Sequence, residues 1–445
     1  MSDPHSPAAP ARTLTVWHAA GIAVGMVIGA GIFRSSSAVA AAVPDTATFF
    51  LVWAAGGLFS LCGALCYAEL AAAFPSTGGD YGFLRAAYGR DLAFLFAWSR
   101  FAVIFTGSTA LLAFVLADYV SALVPLTLLG RAGIAVGAIA GLTMLNLRGV
   151  RVGATVQIGL VVLDVCALLL LGVAGLTTGP PPVTAPIASG APALPSIATA
   201  MVFVMLAYGG WNDAATLSTE MRGGPRALTR ALVGGMAAVT TLYLIANWGY
   251  WHGLGLAGLA ASSAPAADLM RQAFGRPGAA LMVGLVGMTA LAVMNALVIV
   301  GGRTTYAAAG DRAALSGLAR WDAERGTPKA AMLAQSGVAV LLVLYGTWTR
   351  GGFETMVNYL APVFWFFLTL SGLALIVLRR THPDTPRPFR VPLYPALPLL
   401  FAASSAYVLV STVAYVRIAG VALSFGALGL GLVVLAMLRW RGGSR

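Results

Sequence analysis

Twelve long apolar stretches, separated by short polar connections, dominate the hydrophobic pattern of the chain. Most are as long as the ~20 apolar residues that a helix needs to cross the hydrocarbon core of a bilayer. The pattern therefore predicts an all-α polytopic membrane protein with twelve transmembrane helices, called spans 1–12 below. The predicted spans are 13–43, 47–74, 92–123, 131–147, 153–177, 195–221, 228–253, 277–306, 330–348, 355–378, 392–414 and 418–438.

Span 1 carries small residues at its centre, namely Gly25, Gly29, Ala30 and Gly31. Glycine in a helix interior costs roughly 1 kcal/mol relative to alanine. Inside a bilayer, backbone groups without helical partners are tolerated only where they line a cavity or bind something. We therefore predict that helix 1 unwinds at residues 29–31 to hold a polar ligand. A packing motif between helices is the alternative.

A second interruption lies five spans later, where Gly209 and Gly210 break span 6. Paired broken helices in corresponding positions of two halves mark the binding site of transporters that are built from inverted repeats. The sequence therefore predicts two repeats of five spans each, followed by two further helices. The predicted units are a cytoplasmic tail (1–12), a first repeat with helices 1–5 (13–177), a second repeat with helices 6–10 (195–380), and helices 11–12 (390–440).

Charge supports a membrane protein and indicates its orientation. Only 9% of the residues are charged, against about 25% in soluble proteins. Most of the 27 Lys and Arg residues fall in the loops on one side of the predicted bundle. By the positive-inside rule, both termini are predicted to be cytoplasmic. Because the basic residues are spread over short loops, no nucleic-acid partner is expected.

Cysteine and histidine indicate no cofactor chemistry. The three cysteines lie inside apolar stretches, and the four histidines are scattered along the chain. A disulfide framework is therefore not expected. We predict neither a metal site nor an organic cofactor.

Five motifs occur in order along nearly the whole chain: GAGIF (29–33), ELAAAFPSTGGDYGFL (69–84), AYGGWNDAATLSTEMR (207–222), YAAAGDRAAL (306–315) and RPFRVPLYP (387–395). Together they resemble a bacterial amino-acid permease of the amino acid–polyamine–organocation (APC) superfamily, closest to the L-amino acid transporter branch. This resemblance implies a LeuT-type 5+5 inverted repeat with broken helices 1 and 6. It also implies alternating access, with an L-amino acid bound by its backbone groups between those helices.

Animal relatives of this branch join a glycoprotein through a cysteine between spans 3 and 4. The corresponding loop, residues 124–131, contains no cysteine. We therefore predict that no disulfide-linked heavy subunit is needed. The expected partners are the small-molecule L-amino acid and the lipid bilayer.

The ends of the half-helices supply the charges that a zwitterion needs. A half-helix N-terminus near Ala30 and Gly31 offers spare N–H groups and partial positive charge to a carboxylate. The first halves of helices 1 and 6 end in carbonyls that suit an ammonium group, and Phe203 is placed to line the side-chain pocket. The predicted substrate-binding residues are Val27, Ile28, Gly29, Ala30, Gly31, Phe203, Met205, Leu206, Ala207 and Tyr208.

Two aromatic residues beside the breaks, Phe33 and Trp211, are predicted to act as gates that close over the ligand. Ordinary packing is the alternative for both. Four ionisable residues inside spans carry coupling or structural charge, because burying a charge in lipid is costly. They are Asp164, Arg34, Arg100 and Glu220. For Glu220, near the cytoplasmic end of its span, a structural hydrogen bond or salt bridge is expected.

Asp164 departs from the family pattern, since the resemblance places a lysine at this position in many relatives. Three interpretations remain open. Asp164 is a protonatable coupling group, because burial favours the neutral form of a carboxyl group; or it binds sodium with helix 1 carbonyls; or it forms a salt bridge with Arg34 or Arg100. The proton is the favoured coupling ion and sodium the alternative.

The sequence thus predicts secondary-active transport of L-amino acids across the inner membrane, and no enzymatic activity. A strict exchanger instead of a proton symporter, and a cationic or polyamine substrate, are the alternatives. An integral membrane enzyme is disfavoured because no histidine and carboxylate group together at membrane depth. A channel is disfavoured because no repeated filter or ring of charge occurs.

Overall fold

The structure is a computed structural model that describes residues 21, 24, 25, 27–75, 79–149, 154–179, 194–213, 224–310, 316–322, 327–415 and 418–442. Within these residues the regular elements are helices, with one isolated β-bridge between Asp322 and Thr327. The predicted all-α class is confirmed for this part of the chain.

Fourteen α-helices follow one another along the described residues, and a π-helical segment, Arg100–Phe105, joins the fourth to the fifth. The helices are α1 (Ile32–Ala42), α2 (Thr46–Ala73), α3 (Asp80–Tyr88), α4 (Arg90–Ser99), α5 (Thr106–Ser121), α6 (Leu128–Leu147), α7 (Ala154–Thr177), α8 (Leu194–Ala207), α9 (Gly224–Ala261), α10 (Pro265–Gly310), α11 (Lys329–Trp348), α12 (Gly352–Thr381), α13 (Ala396–Tyr415) and α14 (Ile418–Gly442).

Ten helical stretches are long and apolar enough to cross a membrane. They coincide with predicted spans 2–5 and 7–12, so a multi-pass membrane protein is confirmed. Helices α1 and α8 represent spans 1 and 6, the two spans that were predicted to be broken. Part of each of these two spans lies outside the described residues, so the number twelve and the division into repeats stay predictions.

Local chemistry explains where several helices begin and end. The Asp45 carboxylate caps α2 by accepting a hydrogen bond from the Thr48 N–H at 2.8 Å, a preferred N-cap arrangement. Gly89 separates α3 from α4 with φ +91°, a conformation that favours glycine. Gly255 and Gly275, both with φ 67°, interrupt α9 and α10. These interruptions lie within two residues of the predicted ends of spans 7 and 8.

Small residues let the central helices approach closely, as is typical of membrane helix interfaces. A Cβ atom on Gly249 of α9 would lie 2.2 Å from the Leu171 carbonyl oxygen of α7. A Cβ atom on Gly25 would lie 2.2 Å from a methyl group of Val161, also in α7. The buried core lies where α1, α2, α8, α9 and α12 meet.

A buried carboxylate ties the end of α2 to the end of α12. Glu69 is fully buried and accepts two hydrogen bonds from the Arg379 guanidinium, at 2.7 and 2.6 Å. Arg387 lies 3.6 Å away, and the Val391 N–H donates to the same carboxylate at 2.6 Å. These contacts indicate a structural role for Glu69.

We expect the variant Glu69→Gln to lower the free energy of unfolding by about 3–5 kcal/mol, because it leaves the Arg379 charge uncompensated. Thermal unfolding in detergent micelles measures this change. The matched control is Asp91→Asn, which breaks an exposed ion pair with Arg439 and should cost about 0–1 kcal/mol. Equal melting temperatures for the two variants would contradict the assigned role of Glu69.

Candidate functional site

The helical backbone of span 1 stops at the small-residue cluster. Residue 27 is helical, residues 28 and 29 have no regular structure, and Ala30 and Gly31 form a turn before α1 begins at Ile32. The Ile28 N–H still donates to the Val24 carbonyl at 2.8 Å, and the Ser35 N–H donates to the Gly31 carbonyl at 2.8 Å. Regular helical bonding therefore resumes at Gly31.

Span 6 changes conformation at its glycine pair. Helix α8 ends at Ala207, residues 208–210 form a turn, and residues 211–213 form one 3₁₀ turn. Gly210 has φ 105°, which only glycine adopts without strain. Residues 214–223 lie outside the described residues, and so does the predicted structural charge Glu220.

One tyrosine of α9 joins the two interruptions. The Tyr243 hydroxyl lies 3.1 Å from the Val27 carbonyl oxygen and 3.0 Å from the Ala207 carbonyl oxygen. Val27 and Ala207 are the last helical residues before the two interruptions. A phenol carries one proton, so Tyr243 donates to one carbonyl at a time. The other carbonyl keeps its capacity to accept a hydrogen bond from another donor.

Aromatic packing holds the span 6 interruption against α2. Tyr208 donates a hydrogen bond to the Trp53 carbonyl at 3.1 Å, and its ring centroid lies 5.0 Å from that of Tyr243. Trp53 packs edge-on against Tyr243 at 5.9 Å. All three side chains are fully buried. The hydroxyl of Tyr243 is thus held at the two carbonyls by a rigid aromatic cluster.

The predicted substrate-binding residues fall on both sides of this junction. Gly31 is half-buried, and a Cβ atom placed on it would meet no heavy atom within 4 Å. Phe203 stacks on Phe353 of α12 with ring centroids 6.2 Å apart. Gly29 and Leu206 are half-buried. The buried members of the predicted set are Val27, Ile28, Ala30, Phe203, Met205, Ala207 and Tyr208.

Both predicted gates are buried and packed in this conformation. The Phe33 carbonyl accepts a hydrogen bond from the Tyr119 hydroxyl at 2.7 Å. Trp211 lies edge-on to Tyr67 at 5.1 Å and to Phe401 at 5.8 Å. The ring contacts of Trp211 explain its position, and the gating role of both residues stays a prediction.

Arg34 belongs to a charged network at one end of the bundle. Its guanidinium lies 3.0 Å from the Glu354 carboxylate and 3.7 Å from the Asp118 carboxylate. Arg131 binds the same Asp118 at 3.1 Å. The network joins α1, α5, α6 and α12 on the side of the interruptions where Phe203 and Phe353 stack.

Asp164 is buried in α7 and accepts a hydrogen bond from the Thr289 hydroxyl of α10. The predicted salt bridge with Arg34 or Arg100 is wrong for this conformation. Arg34 binds Glu354, and Arg100 binds Asp213 at 3.1 Å. Among the described residues, Asp164 has no ion pair. Val161, one turn earlier in α7, packs against Gly25 just before the span 1 interruption, which places Asp164 near the junction of the two interruptions.

A second buried carboxylate, Asp80 of α3, anchors the residues that follow the span 6 interruption. It accepts hydrogen bonds from the Tyr67 hydroxyl, from the Asn212 side chain at 3.0 Å and from the Ser371 hydroxyl at 3.0 Å. Burial raises the pKa of Asp80, while the hydrogen bonds from Tyr67 and Asn212 lower it. The result is a polar cluster that links α2, α3, α12 and span 6.

Comparison with known proteins identifies the family of this chain. The sequence model of the family described as Amino acid permease matches residues 14–436. The chain belongs to the amino acid permease family. The resemblance to the APC superfamily and its L-amino acid transporter branch is thereby confirmed, and the names in this family are those of membrane transporters rather than enzymes.

Two curated relatives of this permease cover most of its length. The b(0,+)-type amino acid transporter 1 of Rattus norvegicus is 28% identical over 402 residues, which are 88% of this chain and 80% of the relative. The Large neutral amino acids transporter small subunit 2 of Homo sapiens is 28% identical over 397 residues, 86% of this chain and 73% of the relative.

A solved structure shares the fold of this permease. The crystal structure of a mutant of the Eremococcus coleocola manganese transporter matches with a TM-score of 0.57 and 13% sequence identity. The match covers 99% of this chain and 96% of that chain. At this identity the likeness concerns the fold alone. In the described part of this permease, no group of three or more His, Cys, Asp or Glu side chains is placed to hold a metal ion.

We expect the permease variant Tyr243→Phe to lower the free energy of unfolding by about 1–3 kcal/mol, because both carbonyls lose their shared donor. The matched control is Tyr250→Phe. Tyr250 lies two turns further along α9, is equally buried, and its hydroxyl has no partner among the described residues. Thermal unfolding of both variants measures the difference. Equal melting temperatures would mean that the Tyr243 hydroxyl does not stabilise the junction.

Proposed function

We propose that this permease carries neutral L-amino acids across the bacterial inner membrane by alternating access within a LeuT-type fold. The ligand binds by its backbone groups at the interruptions of spans 1 and 6, which act as broken helices. The observation that supports this most directly is the Tyr243 hydroxyl between the Val27 and Ala207 carbonyls. Two interrupted helices meet at this point, with spare polar backbone groups on both.

The ammonium group of the ligand binds on the carbonyl side of the junction. Tyr243 satisfies one of the two carbonyls at a time, so an ammonium group supplies the donor that the other carbonyl needs. Its positive charge also suits the negative ends of the two half-helices. No acidic side chain is required for this recognition.

The carboxylate of the ligand binds at the N-terminus of α1. Helix N-termini bind anions through free N–H groups and the helix dipole. The open space beside Gly31 lets a carboxylate approach the backbone there. Because Gly31 has φ −58° and ψ −41°, its backbone does not require glycine, which supports a role in making room for the ligand.

A neutral side chain fits the apolar surroundings of the junction. Ile28, Phe203 and Met205 are buried beside it, and the two relatives above are named as transporters of amino acids, one of them of large neutral ones. A cationic substrate is the alternative. Among the described residues, Asp164 and Asp213 are candidates for the charge that such a substrate would need.

Proton coupling through Asp164 is the favoured driving mechanism. A buried carboxylate with one hydrogen bond and no ion pair is costly in its charged form. Protonation of Asp164 therefore changes the electrostatic field at Tyr243 and at the carbonyls that hold the ligand. Sodium as coupling ion and strict exchange without any ion are the alternatives.

Both termini are proposed to lie in the cytoplasm, in agreement with the distribution of basic loops.

The permease works without a disulfide-linked heavy subunit, because the connection between α5 and α6 contains no cysteine. Purification of the native protein in a stoichiometric complex with a disulfide-linked partner would contradict this.

Uptake of a panel of radiolabelled L-amino acids into proteoliposomes tests the proposed function. Uphill uptake into empty vesicles, driven by an imposed inward proton gradient, supports symport. Stimulation only by internal amino acid identifies an exchanger. If folded protein carries no amino acid under either condition, the proposed substrate class is wrong.

We expect Gly31→Ala to weaken transport without weakening the fold. Alanine fits the helical backbone and should stabilise it by about 0.4–1 kcal/mol, whereas its methyl group enters the space assigned to the carboxylate. Overpacking of about 1–3 kcal/mol raises the substrate KM by about five- to a hundredfold. The control is Gly284→Ala, an exposed helical glycine that also has free space around it. An unchanged KM in Gly31→Ala would contradict the carboxylate site.

We expect Asp164→Asn to abolish uphill uptake driven by the proton gradient, because asparagine cannot exchange a proton. Amino-acid exchange should persist, since the ligand contacts lie on the backbone. The control is Asp268→Asn, an exposed carboxylate in an ion pair with Arg271. Proton-driven accumulation that survives in Asp164→Asn would exclude Asp164 as the coupling group.

A further inference from the structure

A cavity lies beside the residues that follow the span 6 interruption, on the side of the bundle where α3 connects spans 2 and 3. It is half open, and its free space together with the adjoining solvent at its mouth amounts to about 360 Å³. Its polar lining comes from Asp80, Arg100, Asn212, Asp213 and Ser371. Four phenylalanine rings, together with Ile104 and Leu368, form the rest of the wall. By the positive-inside rule this side faces the cytoplasm.

The Arg100 guanidinium lines this cavity, and only one of the two N–H groups on its carboxylate-binding edge, here called the fork, has a partner in the described part of the chain. Its Nη2 donates to Asp213 at 3.1 Å, whereas its Nε is buried and has no partner among the described residues. The Nε–Nη2 edge of arginine binds a carboxylate with two parallel hydrogen bonds. Arg379 of this chain binds Glu69 in that way, with Nε at 2.7 Å and Nη2 at 2.6 Å.

The backbone and neighbouring rings hold the Arg100 fork in place. Arg100 begins the π-helical segment Arg100–Phe105, and such segments are frequent at functional sites. Its guanidinium lies 4.5 Å from the Phe105 ring centroid and 5.6 Å from that of Phe96. Only 13% of the side chain is exposed. A buried guanidinium that is preorganised by two rings is well suited to bind a carboxylate.

The acidic groups of the cavity suit the other end of a zwitterion. Asp80 and Asp213 line the same cavity as Arg100, so a ligand bound there by its carboxylate has acceptors for an ammonium group within reach. One cation and two carboxylates match a ligand that brings one carboxylate and one ammonium. The walls formed by Phe364 and Phe367 suit a neutral side chain.

We propose that this cavity is a second binding site for the transported amino acid, between the helix interruptions and the cytoplasm. The ligand's carboxylate replaces Asp213 at the Nε–Nη2 edge of Arg100, and its ammonium group binds the displaced Asp213 and Asp80. Asn212 and Asp213 follow directly after the turn at residues 208–210, so the two sites adjoin. This inference rests on the proposed function, because it concerns the same substrate.

Amino-acid exchange in proteoliposomes tests this site, with the concentration varied on one face at a time. The probe is radiolabelled L-leucine, replaced by the best substrate of the uptake panel if leucine is not carried. In Arg100→Gln we expect the KM at the cytoplasmic face to rise by about ten- to a hundredfold, because a charge-assisted fork is lost. The KM at the extracellular face should change less than about twofold.

Two further variants separate a binding role from a structural one. Arg100→Lys keeps the charge but not the fork, so the cytoplasmic KM should rise to an intermediate value. Ile104→Phe keeps every charged group and fills part of the cavity, and it should raise the same KM. Arg271→Gln, which removes an exposed arginine from its ion pair with Asp268, is the control and should leave the cytoplasmic KM unchanged.

An unchanged cytoplasmic KM in folded Arg100→Gln, or an equal rise at both faces, would overturn the second site. If Arg100→Gln does not fold, an unchanged cytoplasmic KM in Ile104→Phe overturns it instead. If the wild-type protein transports none of the amino acids in the uptake panel, the proposed function itself is wrong. The panel therefore distinguishes failure of the proposed function from failure of the second site.

Discussion

Backbone N–H and C=O groups that lose their helical partners inside a bilayer must find others, and this constraint organises the centre of the molecule. Spans 1 and 6 lose regular helical structure beside each other, and Tyr243 bridges the last helical carbonyls of both. One hydroxyl proton cannot serve two carbonyls at once. Among the described residues, one of the two carbonyls therefore lacks this donor at any time, and the ammonium group of the proposed ligand would supply one.

The charged side chains are arranged around this uncharged centre. Arg34 lies toward one end of the bundle, together with Asp118 and Glu354. The Glu69–Arg379 ion pair and the polar cluster around Asp80 lie toward the other end. Each of these groups joins helices that are distant in sequence. Asp164 differs from them, because among the described residues its hydrogen-bond partner is the neutral hydroxyl of Thr289. The paired charges hold helices together, whereas Asp164 has no ion pair among the described residues, which is why it is the proposed coupling group.

Hydropathy and glycine positions predicted much of the fold, because both act through local energetics. Ten of the predicted spans have matching helices, and the glycine clusters fall where α1 begins and α8 ends. The partners of buried polar groups were not predictable in the same way. Arg34 pairs with Glu354, 320 residues away, and Asp164 with Thr289, 125 residues away. Such contacts depend on tertiary packing, which no local pattern encodes.

The sequence pattern does not predict the role of Tyr243 or the π-helical segment, for a related reason. Tyr243 lies in an apolar helix without a motif, and its role follows only from the position of its hydroxyl between two distant carbonyls. The segment Arg100–Phe105 has the composition of an ordinary membrane helix, apart from the arginine itself. That buried arginine is the available signal, and its partner is Asp213 rather than Asp164, which was one of the interpretations left open.

Recognition of the amino acid by its backbone charges is the central claim, and competition by blocked analogues tests it most directly. Uptake of a radiolabelled substrate is measured against the free amino acid, its methyl ester and its N-acetyl derivative. The account predicts competition by free neutral L-amino acids with different side chains, and none by either blocked form. Competition by the blocked forms as strong as by the free amino acid would show that the helix interruptions do not bind the two charges.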